Sequence, residues 1–132
     1  MPKDAGIVVE TDMFEHREVK PHFINPCCFG EDFAAWLKGR LSAEDGLELS
    51  EPIQEDYGWG LHMTQGPDRY WIAISYAGEG PQEEPAQWVV SADPDPGPNL
   101  IRGLFGKWPA LGPLRTRIRE ALVGEPAIRV LE

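Results

Sequence analysis

Tyr57-Gly58-Trp59-Gly60-Leu61-His62-Met63-Thr64-Gln65-Gly66-Pro67-Asp68-Arg69-Tyr70-Trp71-Ile72-Ala73-Ile74-Ser75-Tyr76 is the stretch on which the fold turns. At its centre, Gln65-Gly66-Pro67-Asp68 has the chemistry of a four-residue hairpin connection. Glycine accepts positive φ and proline presets a turn. A loop there sets Thr64 opposite Arg69. The pairs on one face are then Met63–Tyr70, Leu61–Ile72, Trp59–Ile74 and Tyr57–Tyr76. Every pair is large and apolar, so this face is expected to be core. The other face carries His62–Trp71, Gly60–Ala73 and Gly58–Ser75, and is nearly bare of side chain. Glycine inside a strand marks close approach of another backbone or a ligand. Either a helix packs there, or a small ligand binds around Trp71.

Outward from the hairpin, residues 6–11 read as a short strand and residues 17–24 as a second, which Pro21 confines to an edge or a bulge. A helix is expected from Glu31 to Leu41, because Phe33, Trp36, Leu37 and Leu41 fall on one face. Glu31 and Asp32 in its first turn and Lys38 and Arg40 in its last suit the helix dipole. After a loop at 78–85, Gln87 to Ala92 reads as a strand, and Asp93-Pro94-Asp95-Pro96-Gly97-Pro98 breaks structure. Pro113 and Gly124 bracket a second helix, with Leu114, Ile118, Ala121 and Leu122 as its buried stripe and Arg115, Arg117 and Arg119 outward. Ile128 to Leu131 closes the chain as a strand. The expected fold is α+β: a mainly antiparallel sheet of about five to six strands with two amphipathic helices packed on it. One globular domain is expected over residues 1–132.

Composition sets limits on function. With 42% hydrophobic and 10% aromatic residues, the chain has ample material for a core. No stretch approaches the roughly 20 apolar residues of a membrane span. Met1-Pro2-Lys3-Asp4 lacks the basic and apolar regions of a signal peptide. The two cysteines are adjacent, at Cys27 and Cys28, and make no disulfide framework. A cytoplasmic location is the expectation. The net charge is −10, and residues 44–95 hold twelve acids against one base, Arg69. Such a surface disfavours a phosphate backbone, so no nucleic-acid partner is expected.

Candidate chemistry is sparse. Cys27 or Cys28, ahead of the first helix, gains nucleophilicity if the helix N-terminus lowers its pKa, with His22 as base. The plainer reading is two small buried hydrophobes. His16 and His22 have one zinc-like spacing, but the cysteine pair does not, so no metal is expected. Glu55 and Asp56 with His62 offer an acid and a base; the plainer reading has the carboxylates ending a loop, with Tyr57 and Trp59 in the core. Trp36, Trp59 and Trp88 have core positions, whereas Trp71 and Trp108 do not. Gly103-Leu104-Phe105-Gly106-Lys107 lacks phosphate-loop spacing.

The leading expectation is therefore a non-catalytic acidic protein-binding module, of the inhibitor, immunity-type or regulatory kind, without a cofactor. Its partner is expected to be a protein with a basic surface, met through Trp71, Trp108, His62, Glu55 and Asp56. The alternatives are a small enzyme using Cys27/Cys28 with His22 or Glu55/Asp56 with His62, and a small-ligand site on the face around Trp71. The oligomeric state is left open.

Overall fold

The computed structural model describes residues 6–14, 29–42, 47–55, 58–66, 68–76, 86–94 and 112–131. The strands are β1 (Ile7–Glu10), β2 (Leu47–Leu49), β3 (Ile53–Glu55), β4 (Gly58–Gln65), β5 (Asp68–Tyr76), β6 (Gln87–Pro94) and β7 (Arg129–Leu131). The helices are α1 (Glu31–Leu41) and α2 (Gly112–Val123). All pairings are antiparallel, in the order β2-β4-β5-β6-β1-β7, with β3 also on β4. The fold is α+β, with seven strands where about five to six were expected.

The hairpin has the expected register. Trp59 opposes Ile74, Leu61 opposes Ile72 and Met63 opposes Tyr70, but the ladder runs one pair further, to Gln65–Asp68, so two residues connect the strands where four were expected. Tyr57 lies outside the described residues, as do the strand expected at 17–24 and the residues Asp56, His16, His22, Cys27, Cys28 and Trp108.

The additional strands come from the edge. Leu49 opposes Met63 and Ile53 opposes Gly60. Between them, Ser50 donates its N–H to the His62 carbonyl at 2.9 Å, and its hydroxyl accepts the His62 N–H at 2.9 Å. Glu51 and Pro52 are thus left together opposite Leu61. β2 and β3 are one edge strand with a bulge, and proline sits where no ladder donor is needed. Glu55, expected to end a loop, is instead the last residue of β3, opposite Gly58. Glu51, turned out at the bulge, pairs with Lys38 of α1 at 2.8 Å.

Both helices cover the face of Trp59, Leu61, Ile72, Ile74, Trp88 and Val90. Phe33, Ala34, Leu37 and Leu41 of α1 and Leu114, Ile118 and Leu122 of α2 join these in one buried cluster. Each fully buried side chain of this size contributes about 1.5–3 kcal/mol. Gly30 starts α1 with φ of 127°, a conformation that side chains disfavour, and its bare Cα faces Ile74, Trp59 and Trp88. Trp36, expected in the core, is only half-buried, and the Arg40 guanidinium lies over its ring at 5.1 Å. Arg115 does not point outward as expected; its guanidinium donates to the Gly6 carbonyl at 3.3 Å.

Thr11 and Asp12, just past the end of β1, tie it to β6 and to the approach of β7. The Thr11 hydroxyl donates to the Ala127 carbonyl at 2.8 Å and accepts the Met13 N–H at 3.0 Å. The Thr11 carbonyl takes the Trp88 indole N–H at 3.3 Å, and the Asp12 carboxylate takes the Ala86 N–H at 3.1 Å. β6 runs to Pro94, opposite Tyr70, so the proline-rich break begins two residues later than expected.

Candidate functional site

Alternation along the strands sends His62, Gly60, Trp71, Ala73, Ser91 and Asp93 to the face away from both helices. Neither described helix fills the space over Gly60. Trp71 does. A side chain built on Gly60 would collide with Cζ2, Cη2 and Cε2 of the Trp71 indole, three adjacent ring atoms. Trp71 opposes His62, one pair along the ladder from Gly60–Ala73, so its ring leans diagonally onto the glycine. Among the described residues, what fills the bare face at that point is a cross-strand indole.

His62 stands beside this ring, 4.7 Å between centroids and tilted by 56°. On the other side, Asp93 of β6 is in register with Trp71, so its carboxylate shares the face. His62, Trp71 and Asp93 form one row across β4, β5 and β6, and all three are half-buried. In the next row, Ile53, Gly60, Ala73 and Ser91 are directly paired.

The sequence-level candidates separate here. His62 and Trp71 are brought together. Glu55 is on the same face and exposed, but it opposes Gly58, four residues along β4 from His62. At about 3.3 Å per residue that places the two positions roughly 13 Å apart, too far for the expected acid–base pair. Asp56 and Trp108 lie outside the described residues. Glu48, Glu51 and Glu55 are exposed along one sheet edge. Charge and proline on an edge also block edge-to-edge pairing, which is a structural role in itself.

Asp93 was missed by reasoning from sequence because it was read with the proline-rich break. The signal available was that Trp88, Val90 and Ala92 are apolar at a spacing of two while Gln87, Ser91 and Asp93 between and beyond them are polar, with Val89 the exception. Among the described residues, no group of three or more His, Cys, Asp or Glu is placed to hold a metal ion. Among them, too, no helix is long and apolar enough to cross a membrane. Comparison with family models, with curated proteins and with solved structures finds no match to this chain.

Proposed function

We propose that this chain is a non-catalytic acidic protein-binding module, of the inhibitor, immunity-type or regulatory kind, acting on a protein with a basic surface in the cytoplasm. One observation carries the reading: exposed Glu48, Glu51 and Glu55 line the edge beside a sheet face whose centre is the half-buried Trp71–His62 pair. Exposed carboxylates attract a basic partner over about a Debye length, roughly 8–10 Å near physiological salt. An aromatic anchor then holds the complex after encounter. The net charge of −10 favours a basic protein over nucleic acid. The Glu55–His62 spacing does not support the carboxylate-and-histidine enzyme.

The test starts with affinity capture from the source cell at low and high salt, using the unmodified chain, Trp71→Ala and a Glu48→Gln/Glu51→Gln/Glu55→Gln variant. The captured protein is then purified for surface-based kinetics. The glutamine variant is expected to slow association and flatten its salt dependence, with dissociation nearly unchanged. Trp71→Ala is expected to speed dissociation by about tenfold or more. Charge variants that change only dissociation, with no effect of Trp71→Ala, would overturn the reading.

A further inference from the structure

We infer that the chain forms a two-fold dimer in which β7 pairs antiparallel with β7 of a second copy, joining the two sheets into one. The inference is independent of the binding-module reading, because β7 and the acidic edge stand at opposite ends of the strand order.

The hydrogen bonding of β1 fixes what β7 presents. Thr11 continues the register of Glu10–Gln87 and donates its N–H to the Ala86 carbonyl at 2.8 Å, so its backbone faces β6. Backbone groups alternate sides along an antiparallel strand. Val9 therefore also faces β6, while Val8 and Glu10 face β7 and bond their partners Leu131 and Arg129. Val130, opposite Val9, is left with its N–H and C=O turned outward. Among the described residues, no strand lies beyond β7 and nothing bonds to those two groups. The next outward N–H, that of Ile128, is taken by the Glu125 carbonyl at 3.0 Å, so the turn closes this end of the edge. The open stretch is the three residues of β7, with one donor and one acceptor on its central residue.

That arrangement is complementary to itself. Two residues directly opposite in an antiparallel ladder exchange both N–H···O bonds. Val130 set against Val130 of a second copy does so across a two-fold axis, the usual symmetry of a closed dimer. A longer partner segment would run into the turn at Glu125, whereas a copy of β7 has the length of the gap. Val130 already packs against the core, and its copy would extend that core across the axis. On the other face, Arg129 would oppose Leu131 of the second copy. The Arg129 side chain is 77% exposed, so its aliphatic stem is available to cover the half-buried leucine. The far edge is protected by a bulge, Pro52 and three glutamates; β7 has neither bulge nor proline. The net charge of −10 on each copy opposes pairing at low salt. Glu48 lies on β2, five strand spacings from β7 and so roughly 24 Å away, more than twice the Debye length of about 10 Å at 0.1 M salt.

The test is a dilution series of the ¹⁵N-labelled full chain from millimolar to micromolar, with sedimentation equilibrium on the same samples. One hydrogen-bonded pair and two small apolar contacts predict a weak dimer, dissociating in the high-micromolar to millimolar range. The Val130 amide resonance is expected to move with concentration, along with those of its neighbours in β7. Raising the salt is expected to tighten the dimer by about threefold or more, because the repulsion between copies is screened. Val130→Pro removes a donor that the single molecule does not use, and is expected to weaken dimerisation about tenfold or more. Leu131→Lys, which sets a second cation against Arg129 of the other copy, is expected to weaken it as well and serves if the proline variant does not fold. A mass that stays monomeric at millimolar concentration would overturn the inference. So would concentration-dependent shifts centred on Glu48–Glu55 or Trp71, or association that weakens with salt. A folded Val130→Pro that dimerises as well as the unmodified chain would do the same.

Discussion

The Trp71 ring occupies the space that a side chain on Gly60 would need. Gly60→Ala must therefore move the indole, which hangs on a rotatable side chain and is only partly buried. The expected cost is about 1 kcal/mol in a denaturant titration. In a Trp71→Ala background the same change is expected to be neutral or slightly stabilising, since alanine suits a strand better than glycine. The two substitutions should then couple by about 1 kcal/mol; additive effects would show that the ring does not rest on Gly60.

Gly58 is blocked by a different kind of atom. A Cβ there collides with the Ile74 carbonyl oxygen, and backbone inside a ladder has nowhere to go. The φ of 154° adds strain for any side chain. Gly58→Ala is expected to cost about 3 kcal/mol, well above Gly60→Ala, with the contrast read from paired unfolding curves.

Trp59 is 4% exposed and packs with Ile74 and the start of α1. Trp59→Ala is expected to cost on the order of 3–5 kcal/mol. A loss below about 1 kcal/mol would place its ring on the surface.

Thr11→Val keeps shape and removes the hydroxyl that joins β1 to the approach of β7. It leaves the Ala127 carbonyl and the Met13 N–H without that partner. The expected cost is about 1–3 kcal/mol. Amide exchange of β7 should quicken more than that of β4 and β5, because only the former depends on this link.

The hairpin was legible because its turn chemistry and four successive apolar pairs agreed on one register. α1 was legible in full, from Glu31 to Leu41, since its apolar spacing and end charges coincide. The edge strand was not: a bulge at Glu51 and Pro52 divides it into Leu47–Leu49 and Ile53–Glu55, each too short to show a period of two. At the candidate site, Gly60 was readable as a place of close approach, but not what approaches. That needed the diagonal neighbour, and a large Trp71 set diagonally across from a small Gly60 is the local sign of it. Arg115 was misread as solvated because its helix position says nothing of the Gly6 carbonyl that the sheet brings beneath it.

The place of β1, between β6 and β7, has a consequence for how the chain is made. β4, β5 and β6 are consecutive and pair soon after they leave the ribosome, whereas Ile7 waits for Val90 and Val9 for both Trp88 and Val130. Pairings so distant in sequence raise contact order and slow the last stage of folding. Through most of synthesis, Ile7-Val8-Val9 is an unpaired β-branched segment, the kind that another nascent chain captures. The vulnerable interval for this protein is therefore the time between translation of its first strand and of its last.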